Sequence, residues 1–202
     1  MTIPLPKRIR NHVNPLADLT EHQFEGFSDN KPIIVDVGAY RGEFTKQLHE
    51  QYGNNYNFIV TEIRKPYARY LCKLFNQYEN IRVFDGDTNR ILKSILEPSI
   101  KKDRSIEYIF INFPDPWFKD KHKKRRVVSQ RFIDDIKQWL PSATKIIFQT
   151  DQEQLFCETQ ELLQENTITF KNISSSPLNA QTYWESMKIK EGETIYRMCF
   201  SL

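Results

Sequence analysis

The chain has 202 residues, 39% of them hydrophobic and 27% charged, with a formal net charge of +3. That length suits one α/β domain with a full core, and no apolar run approaches the ~20 residues that cross a bilayer. The opening MTIPLPKRIR lacks the apolar stretch of a secretory signal, so the cytoplasm is the expected compartment. Cys72, Cys157 and Cys199 never fall in CxxC spacing, and the four histidines never in HxxxH spacing. Neither a disulfide framework nor a metal site is expected.

Residues 1–30 carry prolines and charges without a period, which predicts a basic, partly ordered arm ahead of one domain over 31–202. Short runs rich in β-branched and aromatic residues follow: Ile33–Val37, Asn57–Thr61, Ile81–Phe84, Tyr108–Phe113 and Lys145–Gln149. Runs of that kind suit buried parallel strands. Helices are predicted after each of them, over Phe44–Gln51, Pro66–Gln77, Thr88–Leu96, Arg131–Leu140 and Gln152–Glu165. Two more strand candidates, Thr167–Lys171 and Thr194–Phe200, flank a long polar loop. The alternation implies an α/β fold: a mainly parallel seven-stranded sheet with helices on both faces.

Ligands of such sheets bind beyond the carboxyl ends of the strands, near the switch in strand order. Asp36-Val37-Gly38-Ala39-Tyr40-Arg41-Gly42 comes at the end of the first strand, and the pair Gly38 and Gly42 flanking this turn lets backbone approach a ligand with no Cβ in the way. Glu62 ends the second strand, where a carboxylate can accept both hydroxyls of a ribose. Phe84-Asp85-Gly86-Asp87 ends the third. Each acid taken alone is also a good helix N-terminal charge. Three acidic strand ends in succession suit a nucleoside cofactor. The absence of GxxxxGK[ST], and Tyr40 in the place of the middle glycine of GxGxxG, favour a methyl donor over a nucleotide triphosphate or NAD.

After the fourth strand comes Asn112-Phe113-Pro114-Asp115-Pro116-Trp117-Phe118-Lys119. Two prolines restrict the backbone around Asp115. A fixed carboxylate beside an aromatic plane suits recognition of a flat base, with Trp117 or Phe113 stacking. From Lys119 to Arg126 the chain reads KDKHKKRR, six Lys/Arg against one Asp. Such a run is either a solvated face or a phosphate-binding one. As the latter, Lys121, Lys123, Lys124, Arg125 and Arg126 would meet the phosphates of a nucleic acid.

Asn112–Trp117 with Lys119, His122 and Lys124-Arg125-Arg126 resembles the signature of bacterial tRNA (guanine-N7)-methyltransferases. The resemblance extends over Arg8–Leu16, Glu62–Pro66, Thr150-Asp151, Thr182-Tyr183-Trp184-Glu185 and Ile195-Tyr196-Arg197. It implies a Rossmann-like class I methyltransferase that moves a methyl group from S-adenosyl-L-methionine to N7 of a guanine, in the variable loop of tRNA. It further implies that Asp36, Glu62, Asp87 and Asp115 contact the cofactor, with Asp115 catalytic. Lys119, Asp151, Thr182 and Glu185 correspond to substrate-binding positions. The chain departs from the family pattern in having Asp36 for glutamate, Tyr40 for glycine and Trp184 for tyrosine. Tyr40 thereby brings a bulky ring to the methionine end of the expected pocket. Two rival readings are a non-catalytic RNA-binding protein on the same scaffold and a methyltransferase with another acceptor. No membrane partner is expected, and monomer and homodimer are both compatible with the sequence.

Overall fold

A computed structural model describes residues 3–6 and 22–202. The resemblance over Arg8–Leu16 and most of the expected arm lie outside the described residues. The strands are β1 (Ile33–Val37), β2 (Asn57–Glu62), β3 (Ile81–Asp85), β4 (Ile106–Asn112), β5 (Lys145–Thr150), β6 (Phe170–Asn172) and β7 (Tyr196–Phe200). They form one seven-stranded sheet in the order β3-β2-β1-β4-β5-β7-β6. β1 to β5 are parallel, and β7 runs antiparallel between β5 and β6. Strand order reverses between β1 and β4, and that is where a crevice opens in a doubly wound sheet.

The helices are α1 (Glu43–Tyr52), α2 (Lys65–Phe75), α3 (Thr88–Lys101), α4 (Asp120–Lys123), α5 (Gln130–Trp139), α6 (Glu153–Glu165) and α7 (Tyr183–Lys190). Side chains alternate across the sheet. Ile33, Val35 and Val37 of β1 pack with α3, α5 and α6, while Ile34 packs with α1 and α2 on the opposite face. The central strands are therefore buried on both sides, which is why they read as continuous apolar runs.

Three features depart from the sequence-based expectation. Helix α3 continues through Pro98 to Lys101, although proline removes a helical hydrogen bond. Ile95, Leu96 and Ser99 are fully buried on either side of it, so packing overrides the local breaker. The packed unit also begins before residue 31. Phe27 is in the core, Phe24 meets Phe27 and Phe84 edge-to-face, and the His22 ring lies 2.7 Å from the Asp85 carbonyl. Finally, the polar loop before β7 contains α7. Among the described residues no helix is long and apolar enough to cross a membrane.

Helix α7 is docked by its first turn. Thr182 and Glu185 form a capping box, with the Thr182 hydroxyl accepting from Glu185 N at 2.9 Å. The Glu185 carboxylate, 3% exposed, also accepts from Arg197 Nη2 at 2.7 Å and from Gln149 Nε2 at 3.1 Å. Removing one partner of a buried pair leaves the other charge uncompensated, at a cost of about 3–5 kcal/mol. Glu185→Ala is expected to lower unfolding stability by about 3 kcal/mol or more. Urea unfolding measures it, and an unchanged midpoint would exclude this anchoring role.

Candidate active site

Four parallel strands end around one cleft of about 130 Å³. Gly38, just past β1, has φ +73, and a Cβ built there would meet nothing within 4 Å. The turn thus leaves open space beside its backbone, which no other residue type would do as cheaply. Glu62 ends β2 with 1% of its surface exposed. Its Oε1 accepts from Arg64 N and Arg64 Nε, both at 2.8 Å, and its Oε2 from Tyr40 N and Arg64 Nη2, both at 3.0 Å. Asp87 caps α3 by accepting from Asn89 N at 3.2 Å. Burial raises its carboxyl above the ordinary value, against the opposing pull of that bond and of Arg90 and Arg131.

The opposite wall is the segment after β4. Phe113 N donates to Gln149 O at 2.8 Å, and Phe113 and Trp117 both take left-handed backbone conformations, φ 49 and φ 42. Between them Asp115 is exposed and lines the cleft together with Gly38, Glu62 and Asp87. Arg125 lines the same cleft, its guanidinium 5.2 Å from the centre of the Trp117 ring. Asn112 lines it too, and its Nδ2 is a buried donor with no partner among the described residues.

The basic run divides into three parts. Lys119, Lys121 and Lys124 are exposed around the one-turn helix α4. Arg125 belongs to the cleft wall. Lys123 and Arg126 are turned inward, and this corrects the expectation that both face phosphate. Lys123 Nζ lies 3.0 Å from Glu158 and 3.3 Å from Asp120. Arg126, 9% exposed, donates from Nε to Pro116 O at 2.7 Å and pairs through Nη1 with Glu158. Burial alone would raise the Glu158 carboxyl, but hydrogen bonds from Arg126, Gln154 and Lys123 hold it down at about 2. Helix α6 thereby grips the Pro116 carbonyl, one residue from Asp115. Nothing local in the sequence announces Glu158, because its two cationic partners lie more than thirty residues away.

Other expected site residues are placed differently. Asp36 does not line the cleft. It follows Ile34 on the α1 face of β1, 3% exposed, and accepts from Thr45 Oγ1 at 2.6 Å. Thr182 and Glu185 are engaged in the α7 anchor described above, so the buried Glu185 carboxylate does not present itself to a substrate. Asp151 is a mostly covered carboxylate, 3.4 Å from Trp184 Nε1 and 3.8 Å from Lys188 Nζ. Tyr40 does not crowd the cleft: its ring packs 4.6 Å from Tyr67 and is not part of the lining. Among the described residues no group of three or more His, Cys, Asp or Glu side chains could hold a metal ion.

Residues 30–198 match a family of proteins described as putative methyltransferases. A tRNA (guanine-N(7)-)-methyltransferase of Trichormus variabilis is 32% identical over 96% of this chain and 95% of its own length. One from Prochlorococcus marinus strain MIT 9215 is 31% identical over 93% and 92%. This chain belongs to the tRNA (guanine-N7)-methyltransferase family. Two solved structures share the fold of this family member. A precorrin-6y C5,15-methyltransferase from Geobacter metallireducens matches with a TM-score of 0.55 at 11% identity, over 84% of this chain and 79% of the other. An S-adenosylmethionine-dependent methyltransferase from Aquifex aeolicus matches with a TM-score of 0.54 at 11% identity, over 85% and 84%.

The departures of this methyltransferase from the family pattern have structural counterparts. Tyr40 stands at φ 54, a left-handed conformation that glycine takes without strain and other residues adopt at a cost of about 1–2 kcal/mol. At Asp36, burial pushes the carboxyl up to about 7, the Thr45 hydrogen bond pulls the other way, and the Glu62 charge adds to the rise. An unfolded chain releases this proton near the ordinary value of 3.8, whereas the native chain keeps it until about 7. Asp36 thus lowers stability progressively as pH rises through that window, and the loss is complete above it. Asp36→Asn is expected to gain stability over the parent as pH rises from about 5 to about 8. Urea midpoints across that range measure the difference, and parallel pH profiles would contradict the assignment.

Proposed function

We propose that this chain transfers a methyl group from S-adenosyl-L-methionine to N7 of a guanine in tRNA. The observation that carries the reading is the single cleft in which Gly38, Glu62 and Asp87 face Asn112, Asp115 and Trp117. A nucleoside cofactor fits this residue set. Glu62 is a buried carboxylate at a strand end, suited to a ribose diol. Gly38 leaves its ligand side open, and Asn112 carries a buried donor with no partner among the described residues. Asp87 is the carboxylate suited to an adenine amino group. When bound, the cofactor supplies an electrophilic methyl group on a positively charged sulfur.

The acceptor atom simplifies what the protein must do. Guanine N7 carries a lone pair and no proton at neutral pH, so no general base is required, and no histidine lines the cleft. Asp115 accepts hydrogen bonds from the guanine N1–H and amino group, fixing the base plane with Trp117 or Phe113 against its face. Holding two reactants in line contributes up to ~7–11 kcal/mol in well-oriented systems. The fixed carboxylate also favours the positive charge that builds on the purine. Ile111 and Val127 add apolar wall to the cleft.

Asp115→Ala is expected to cut turnover on tRNA by about 10²–10³-fold, the scale for losing one preorganised electrostatic group, a larger loss than in cofactor affinity. Incubation of the parent with labelled methyl donor and unmodified tRNA, followed by nucleoside analysis, should yield 7-methylguanosine. Absence of that product rejects the reaction, and an Asp115→Ala variant with parental rates rejects the residue.

The three exposed lysines, Lys119, Lys121 and Lys124, serve the phosphate backbone in this reading, and Lys123 does not. Each phosphate contact contributes about 0.9 to the slope of log K against log salt for duplex nucleic acid. Lys119→Glu, Lys121→Glu and Lys124→Glu are each expected to weaken tRNA binding and flatten that slope by about one. Filter binding across a salt series reads this out, and slopes equal to the parent's would remove the three lysines from the interface.

A further inference from the structure

The cleft of about 130 Å³ is small beside the ~300–1,000 Å³ usual for ligand pockets. Glu62 is part of its lining. A carboxylate offers about four lone-pair sites, and Glu62 has all four taken: Tyr40 N, Arg64 N, and the Nε and Nη2 of Arg64 in a two-pronged pair. With 1% of the residue exposed, no solvent-facing acceptor remains. A ribose diol cannot take this carboxylate while the Arg64 side chain holds it.

Arg64 is itself well seated. Its guanidinium lies 5.0 Å from the centre of the Tyr40 ring and 4.9 Å from that of Tyr67, and the two rings are 4.6 Å apart. Cation–aromatic contacts of this kind strengthen as they lose water. Arg41 also lies 5.0 Å from the centre of the Tyr40 ring and 4.5 Å from that of the exposed Tyr183. An alternating arginine–tyrosine stack therefore runs from Glu62 to the surface. Its central ring belongs to Tyr40, at the position where the family pattern has a glycine and can offer no ring.

We propose that Arg64, seated on Tyr40 and Tyr67, is a resident competitor for the ribose-accepting carboxylate of Glu62, and that cofactor binding releases its guanidinium to the RNA-facing wall of the cleft. The proposal rests on the methyl-donor reading above. The released cation has a destination in the cleft, since Arg64 shares it with Asp115 and Arg125 and already feels the charge of Asp115. Two consequences follow. Cofactor affinity is lowered by the competition, and cofactor and RNA reinforce each other, because each favours the state with Arg64 away from Glu62. Such coupling is reciprocal and typically spans about 5–150-fold.

The test uses S-adenosylhomocysteine, which cannot transfer a methyl group, so binding is read apart from turnover. Calorimetry on the full chain is expected to give about fivefold or more tighter binding for Arg64→Gln than for the parent. Filter binding of tRNA by the parent is expected to tighten about tenfold on adding S-adenosylhomocysteine, and Arg64→Gln to lose that response. Tyr40→Gly keeps the Arg64–Glu62 pair, removes a ring and relieves a left-handed backbone. It is expected to bind S-adenosylhomocysteine more tightly while retaining tRNA affinity, which covers the case in which Arg64→Gln folds poorly. Equal or weaker binding of S-adenosylhomocysteine by folded Arg64→Gln and Tyr40→Gly, with a parent that binds it, overturns the competition alone. Failure of the folded parent and both variants to bind it at all overturns the methyl-donor reading together with the proposal.

Discussion

The segment after β4 holds a conformation that local preference would not choose, and hydrogen bonds from distant elements keep it there. Phe113 and Trp117 are both left-handed, at a cost of about 1–2 kcal/mol each. Phe113 N is tied to Gln149 O of β5, and the Pro116 carbonyl to Arg126 Nε. Gln149 is in turn bound to Glu185 and Arg197, and Arg126 to Glu158 of α6. Pro114 and Pro116 narrow the backbone between the two ties. Asp115 reaches the cleft because β5, β7, α6 and α7 together prevent the loop from relaxing. A carboxylate meant to fix a base plane has to be held by its frame, since any freedom left to it would be lost again on binding.

The same frame explains how a run of six cations can serve two purposes. Glu158 draws Lys123 and Arg126 inward, where they tie the loop to α6. The short helix α4 then leaves Lys119, Lys121 and Lys124 on the outside. Within the run, Lys121 and Lys124 are three apart on one side and Lys123 and Arg126 three apart on the other, a spacing that shares a face in a helical turn. The inward cations set the shape of the acceptor wall, and the outward ones supply a field that a polyanion feels from a distance. Arg125, on the ring of Trp117, stands at the border between the two sets.

Most of the fold was legible in the sequence because burial on both faces leaves a strong mark on central parallel strands, as in Ile33–Val37 and Ile106–Asn112. The edge strand β6 is three residues long and mostly exposed, so it carries little such mark. Helix α7 has almost no apolar face and gives no helical period. Its signal is the capping box Thr182-x-x-Glu185, a motif whose mechanism is local and therefore readable. In the site, Gly38, Glu62, Asp87 and Asp115 could be picked out because the end of a parallel strand is a topological address. Asp36 sits within a strand, where alternation with Val35 and Val37 turns it to the other face. Glu158 was not legible at all, since what it does depends on the distant Lys123 and Arg126 that the fold brings to it, and Arg64, though only two residues from Glu62, carries no pattern that marks the pair.

The departures from the family pattern share a physical theme. Asp36, in β1, is satisfied by Thr45 of α1. Tyr40, four residues on, replaces a glycine's freedom with contacts to Tyr67, Arg41 and Arg64. Trp184 offers an indole N–H to Asp151 and a ring beneath Lys188, which restores a polar handle on an aromatic plane where the tyrosine hydroxyl is gone. Each change exchanges one set of partners for another close by. The strain at Tyr40, about 1–2 kcal/mol, persists because a ring in contact with two cations returns comparable energy, at ~0.5–2 kcal/mol per contact. A turn stabilised by its own side chains in this way has less need of a ligand to order it, and correspondingly more to displace before one can enter.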